Sequence, residues 1–175
     1  ESDLEFLFVQ GVYDAWQMTG DDDWLIDNLE AMRQALRYIT SDPLRWDAEH
    51  GLVRRPYTID TWDFQVGPTT ISPDGRPSPR HWIDEQTIWG IFHGDNTGLA
   101  YALKLMERME QHLGNETEAA AWEEQRVALM ERLNALSWNG DFYTHFVPLE
   151  GTLEVPGVDT DAQMSLSNAY ALKRE

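Results

Sequence analysis

Two carboxylates flank a tryptophan in the stretch TIDTWDFQVG, residues 58–67. Asp60 and Asp63 are three residues apart, Trp62 lies between them and Phe64 follows. Cleavage of a glycosidic bond needs one protonated carboxyl to assist the leaving oxygen and a second carboxylate as base or nucleophile. An indole beside the acid stacks on a sugar ring and raises the carboxyl pKa by lowering the local polarity. The same residues also fit a pair of Asx turns that cap a loop, with Trp62 simply packed.

A second group of polar and aromatic side chains lies in HWIDEQTIWGIFHGDNTG, residues 81–98. Amide, imidazole and carboxylate groups hydrogen-bond sugar hydroxyls, and indoles stack on sugar rings. The sequence therefore predicts substrate-binding residues at Trp82, Asp84, Glu85, Trp89, His93, Asp95 and Asn96. In the alternative interpretation, Asp95 or Asn96 is the N-cap of the helix that follows. His93 and Asp95 supply only two possible metal ligands, so no metal site is predicted.

Two further stretches carry weaker chemical signals. WNGDFYTHF, residues 138–146, contains the turn pair Asn139-Gly140, and Asp141 is expected to face solvent. DTDAQMSLSNAY, residues 159–170, offers Asp159 and Asp161, which fit either helix caps or side chains that reach a cleft. Neither stretch decides between chemistry and local structure.

Composition excludes several classes of function. The chain has 31 acidic and 13 basic side chains, a net charge of −18, and such a surface repels phosphate backbones and anionic lipid heads. Nucleic-acid and membrane partners are therefore not expected. The absence of cysteine excludes disulfides and thiolate zinc sites and leaves the compartment open. The motifs of serine hydrolases, P-loops, dinucleotide-binding folds and zinc proteases are absent, so no cofactor is expected and carbohydrate chemistry remains.

The hydrophobic period predicts five helices, at about residues 3–18, 22–41, 97–113, 117–136 and 159–175. Asp21 or Asp22 is the expected N-cap of the second helix. Residues Phe8, Val9, Val12, Tyr13 and Trp16 form the expected inner face of the first helix. No helical period is present between Pro43 and about Asp95. Residues 66–82 carry four of the eight prolines and are expected to form a long irregular loop.

The expected fold class is mostly α, built from antiparallel helical hairpins with long loops and short β excursions on one face. Helical hairpins alternate with long excursions along the chain. Short connections then lie at one end of the helix pairs and long connections at the other. Repeated helix pairs bury a continuous core by stacking on their neighbours, which brings the long connections to one face. A functional site is expected on that face.

Three stretches resemble the six-hairpin glycosidase superfamily, the (α/α)6-barrel glycoside hydrolases. WDF, residues 62–64, is similar to the element that carries the acid in trehalase-like members. LGNETEAAAWEEQRVALMERLNALSWNGDFY, residues 113–143, resembles the recurrent hairpin of these barrels, and HGDNTGLAYALKLMERM, residues 93–109, the passage before it. The glutamate-serine-glycine that precedes WDF in trehalases is replaced by YTID, which argues against trehalose as the substrate. Twelve helices with long loops exceed 175 residues, so residues 1–175 are expected to be a single-domain fragment of the catalytic barrel, cut at both ends.

The resemblance implies a hydrolase that cleaves an O-glycosidic bond of an oligosaccharide or glycoside. It implies that Asp63 is the general acid, that Asp60 orients or binds the sugar, and that an inverting outcome is favoured. The second carboxylate of such enzymes lies late in the barrel, so the remainder of the same barrel is the implied partner. Trp62, Trp82 and Trp89 would form stacking walls.

Three alternatives stay open. A sugar epimerase on the same scaffold would place paired histidines over the sugar ring, whereas the five histidines here are scattered along the sequence. A polysaccharide lyase on the same scaffold would release an unsaturated product. A helical-repeat protein-interaction domain would bind a peptide, but the long aromatic loops and the absence of a 34-residue period argue against it.

Overall fold

The computed structural model describes residues 3–57, 69–71, 77–79, 83, 85, 87–151, 159 and 162–174. This part of the chain is mostly helical, with short antiparallel strands, as the sequence predicts. The helices are α1 (Leu4–Thr19), α2 (Asp22–Ile39), α3 (His93–His112), α4 (Glu116–Ser137) and α5 (Leu166–Arg174). None of the helices in the described ranges is long and apolar enough to cross a membrane.

The strands are β1 (Trp46–Asp47), β2 (Leu52–Val53), β3 (Arg55–Pro56), β4 (Thr69–Ile71), β5 (Pro77–Pro79), β6 (Trp89–Phe92) and β7 (Phe146–Pro148). They form a β1–β2 pair, a β4–β5 pair and a three-stranded antiparallel sheet in the order β3–β6–β7. The β4–β5 pair lies within residues 66–82, so the prediction of an irregular loop throughout that segment is wrong. Thr69–Ile71 is a run of β-branched residues, which favour strands.

The first hairpin follows its sequence signals closely. Gly20 ends α1 in the left-handed conformation, with φ 67°. The Asp21 carboxylate accepts a hydrogen bond of 3.0 Å from the amide of Trp24, which confirms Asp21 as the N-cap of α2. The apolar stripe of α2 is buried along its whole length, from Leu25 to Ile39.

The buried face of α1 is rotated slightly from the predicted one. Phe6, Val9, Val12 and Trp16 are buried, whereas Phe8 is 38% exposed. The prediction that Phe8 points inward is wrong because a helix turns about 100° per residue. Phe8 therefore lies about 200° from Phe6 and faces away from the core.

Helix α3 begins at His93, four residues before the predicted start at Thr97. Its N-cap is Phe92, which makes no side-chain cap, so the prediction that Asp95 or Asn96 caps this helix is wrong. Strand β6 leads directly into the helix. The amide of His93 donates to the carbonyl of His145 at 3.0 Å, so a backbone carbonyl satisfies one of the amides that have no acceptor within the helix.

The second hairpin joins α3 to α4 through Gly114, whose φ is 77°. The core side chains Leu99, Leu103 and Met106 of α3 are buried as predicted, and so are Trp122, Leu129 and Leu133 of α4. Leu113 and Leu136 are only half-buried at the edge of this core. Helix α3 is the central helix, because α1, α4 and α5 all pack against it.

Helix α5 begins at Leu166, seven residues after the predicted start at Asp159. The Asp159 carboxylate instead accepts a hydrogen bond of 3.1 Å from the amide of Ala162. This local turn uses the aspartate as an Asx turn would and delays the helix. Asp161, the other predicted cap, lies outside the described residues.

One buried carboxylate joins the two hairpins. Glu110 of α3 is fully buried, and Nε and Nη2 of Arg33 on α2 donate to its two oxygens at 2.8 Å each. The Asn115 side-chain amide donates a third bond of 2.8 Å to the same carboxylate. A buried charge needs this complete set of partners, because each one replaces lost hydration.

The two short turns, residues 20–21 and 113–115, lie at the same end of the hairpins, which we name the turn end. Asp22 accepts hydrogen bonds of 2.9 Å from the indole of Trp16 and from His112, and these bonds lower its pKa. The rings of Trp16 and His112 are 4.7 Å apart. The opposite end, the loop end, holds the β3–β6–β7 sheet, which both long connections build. The predicted separation of short and long connections is confirmed.

Candidate functional site

The structure describes about half of the predicted site. Glu85, Trp89, His93, Asp95 and Asn96 are described. The predicted acid Asp63 and its neighbour Asp60 lie outside the described residues, as do Trp62, Phe64, Trp82 and Asp84. The described residues therefore show the loop end, where Tyr57 directly precedes residues 58–67. We name residues 58–67, which carry Asp60 and Asp63, the acidic segment.

A cluster of aromatic rings fixes the start of the acidic segment. Tyr57, the last described residue before it, is fully buried. Its ring lies 5.9 Å from that of Phe92 on β6, and Phe92 lies 4.5 Å from Phe146 on β7. Aromatic pairs at these separations add packing energy beyond the area they bury. Both long connections therefore hold Tyr57 in one place.

Glu85 and Trp89 are the described members nearest to the surface. Glu85 is exposed, and Trp89 is half-buried at the start of β6. The guanidinium carbon of Arg54 lies 5.1 Å from the centroid of the Trp89 ring, a cation–π contact. This contact occupies one face of the indole and fixes its orientation.

Asn96 connects α3 to strand β2 and is fully buried. Its side-chain oxygen accepts from the amide of Val53 at 2.8 Å. Its side-chain nitrogen donates to the carbonyls of Val53 and Phe92 at 2.9 Å each. All of its hydrogen-bond donors are therefore used within the protein, and its role in the described structure is to position the loop end.

Asp95 and Arg55 form an ion pair at the loop end. The Asp95 carboxylate lies 3.5 Å from Nη1 of Arg55, and the two side chains are only 14% and 10% exposed. The Arg55 guanidinium also lies over the ring of Phe92, at 5.1 Å. Partial burial strengthens such a pair, because water screens it less. Asp95 therefore holds β3 against the first turn of α3.

His93 is buried at the start of α3, where it is 1% exposed. Its Nδ1 lies 3.0 Å from the hydroxyl of Ser137, which itself donates to the carbonyl of Leu133 at 2.7 Å. A hydroxyl has one proton, so Ser137 accepts from Nδ1 and the lone pair of the ring lies on Nε2. The ring of Tyr143 stacks on the imidazole at 4.4 Å.

Sequence reasoning did not identify His145, which lies next to His93. His145 is 4% exposed, and its ring contacts that of Phe92 at 5.1 Å. The expectation of scattered histidines is therefore wrong for these two, because the β6–β7 pairing brings them together. Burial lowers the pKa of both to about 4, assisted by Arg174 at His93 and by Arg55 and His93 at His145.

The lowered pKa values of His93 and His145 predict how the stability of the folded chain depends on pH. Each histidine binds a proton more weakly in the folded chain, where its pKa is about 4, than in the unfolded chain, where its pKa is about 6.5. Their stabilising contribution is therefore complete above pH ~6.5 and is lost as the pH falls towards 4. The loss is about 1.4 kcal/mol per pH unit for each histidine.

Urea unfolding of the wild type and of His93→Gln between pH 7 and pH 5 measures this effect. We expect the variant to lose stability less steeply, by the contribution of one histidine. The difference between the two proteins removes the shared titration of the many surface carboxylates. Parallel pH curves would show that His93 is not held neutral in the folded state.

Among the described residues, no group of three or more histidine, aspartate or glutamate side chains could hold a metal ion. The Asp95 carboxylate at the loop end is already paired with Arg55. A scan against protein-family models and a search of curated proteins found no match.

Proposed function

We propose that this chain carries the acid-bearing part of a glycoside hydrolase built as an (α/α)6 toroid of helical hairpins. In this proposal Asp63 protonates the leaving oxygen of an O-glycosidic bond, and Asp60 orients or binds the sugar. The tryptophans Trp62, Trp82 and Trp89 stack on sugar rings. The resemblance of WDF and of the 113–143 hairpin to this superfamily motivates the assignment.

The observation that carries the proposal is the anchoring of Tyr57 at the loop end. Asp60 and Asp63 follow Tyr57 by three and six residues in the sequence, so the stretch that carries them begins where Tyr57 is held. Tyr57 itself lies at the end of the hairpins where both long connections meet. Catalytic residues occur disproportionately on loops that a rigid scaffold positions.

The buried contacts of the loop end support this proposal because they fix the strands next to Tyr57, which precedes the acidic segment. Asn96 holds β2, the Arg55–Asp95 pair holds β3, and the Tyr57 cluster joins β3, β6 and β7. A glycosidase must place its two carboxyl groups within narrow limits, roughly 6.5–9.5 Å apart in an inverting enzyme. Such limits require a rigid support of this kind.

A sugar epimerase is the second candidate, because the structure brings His93 and His145 together. Burial lowers the pKa of both imidazoles to about 4, whereas an epimerase needs a histidine that can supply a proton near neutral pH. These properties indicate that His93 and His145 stabilise the packing of the loop end and do not form a catalytic pair. We therefore rank hydrolysis first.

Incubation of the intact barrel, in which this chain is joined to the remainder that carries the second carboxylate, with a panel of natural oligosaccharides and glycosides tests the proposal. We expect new reducing ends, without the ultraviolet absorbance of an unsaturated product. Absorbance would indicate a lyase, and a changed sugar without cleavage would indicate an epimerase. A panel that is neither cleaved nor bound, while peptides bind, would replace the proposal with a protein-interaction domain.

A further inference from the structure

A cavity of about 170 Å³ lies between α3, α4 and α5. Three cationic side chains line it, namely Lys104, Arg126 and Arg174, together with His93 and Tyr143. No carboxylate is among its lining residues within the part of the chain that the structure describes. The chain as a whole has a net charge of −18, so three cationic side chains around one cavity oppose its overall charge.

The ammonium group of Lys104 and Nε of Arg126 have no hydrogen-bond acceptor among the described residues. Lys104 makes no hydrogen bond or ion pair with any described residue. Nε of Arg126 is buried without a hydrogen-bond partner, and its ion pair with the Glu107 carboxylate is long, at 3.9 Å. A buried donor without a partner is costly and is usually explained by a ligand, a water molecule or an ion.

Arg174 closes the cavity from α5. Its Nη1 donates to the carbonyl of Gly94 at 2.7 Å and to the hydroxyl of Thr97 at 3.1 Å. Burial lowers its pKa although the nearby Asp95 acts in the opposite direction. The charge of this guanidinium is therefore only partly compensated within the protein, so an anion in the cavity would stabilise it.

His93 adds an acceptor to these donors. Ser137 occupies its Nδ1, and its Nε2 is buried without a partner. A neutral Nε2 accepts a hydrogen bond and does not bind an anion directly. The cavity thus combines cationic donors with one buried acceptor, which requires a ligand that has both an anionic group and a hydroxyl.

We propose that the α3–α4–α5 cavity binds a small hydroxylated anion, whose carboxylate or phosphate contacts Lys104 and Arg126 while its hydroxyl donates to Nε2 of His93. The volume is below the ~300–1,000 Å³ of pockets for drug-sized ligands, so the ligand is about the size of a three-carbon hydroxy acid or its phosphate counterpart. The inference does not depend on the proposed glycosidase, because neither Asp60 nor Asp63 takes part.

Isothermal titration calorimetry at low ionic strength tests the site with four matched probes. Glycerate and glycerol phosphate carry both an anion and a hydroxyl, and they distinguish a carboxylate ligand from a phosphate ligand. Propionate lacks the hydroxyl, and glycerol lacks the charge. We expect glycerate or glycerol phosphate to bind more tightly than propionate, and glycerol not to bind.

The chain has only one other lysine, Lys173, which is exposed on α5 and serves as a matched control. We expect Lys104→Met to weaken binding about tenfold or more and Lys173→Met to leave it within about twofold. Lys104 has no partner in the fold, so its replacement is not expected to unfold the protein, and the melting temperature verifies this.

Equal binding by the two lysine variants would overturn the proposal, and so would equal binding of glycerol and glycerate or no binding of either anion. Binding of propionate as tight as that of glycerate would overturn the role of His93. Binding is measured without a glycoside, so its absence leaves the glycosidase proposal intact. Absence of hydrolysis leaves the anion site intact in the same way.

Discussion

Turnover of a natural glycoside by the intact barrel is expected to fall about 10²- to 10⁴-fold when Asp63 is replaced by asparagine. Asparagine has nearly the same shape as aspartic acid but cannot give a proton to the leaving oxygen. Because Asp63 is the proposed general acid, the loss depends on how much the leaving group needs that proton. An aryl glycoside with a strongly acidic phenol should lose far less turnover than the natural substrate.

Two further variants make this result specific. Asp60→Asn is expected to weaken turnover of natural and activated substrates alike, because Asp60 is assigned to sugar binding or orientation. Asp141→Asn is the matched control, since Asp141 is an exposed aspartate in the connection from α4 to α5. The assignment of Asp63 is wrong if Asp63→Asn retains turnover of natural glycosides within a few-fold.

Replacing Arg33 with methionine is expected to lower the free energy of unfolding by about 3 kcal/mol. The variant keeps the aliphatic bulk of the side chain but removes both hydrogen bonds to Glu110. Glu110 is fully buried, so its carboxylate would lose its only cationic partner among the described residues. Urea unfolding at neutral pH measures the loss.

Arg37 provides the control for this prediction, because it lies one turn further along α2 and pairs with Glu30 at the surface. Both of those side chains are more than half exposed, so Arg37→Met should cost much less. The double variant Arg33→Met with Glu110→Leu should recover part of the stability, because no buried charge remains. Equal losses in Arg33→Met and Arg37→Met would contradict a structural role for the Glu110 pair.

The helical hairpins are predictable from sequence because their signals are local. The stripe of α2 repeats at helical spacing, and Asp21 follows Gly20 where a new helix needs a cap. The start of α3 was not predictable in this way. The acceptor for the His93 amide is the carbonyl of His145, which is 52 positions later in the chain, and no local pattern indicates such a partner.

The buried polar groups show a similar division. Glu110 lies on the same stripe of α3 as Leu103 and Met106, and a carboxylate at a core position is a signal that could have been noticed. Its partner Arg33 could not be identified, because it lies on another helix. The pairing of His93 with His145 likewise depends on the β6–β7 register, which sequence spacing does not determine.

The contact of Trp16, Asp22 and His112 has a consequence for how such a protein can evolve. It fastens the two hairpins together at the turn end, away from the sheet that both long connections build. Insertions and replacements in the long connections can therefore accumulate without disturbing this fastening. The long connections can therefore diverge in length and sequence while the two hairpins keep their attachment at the other end of the same helices.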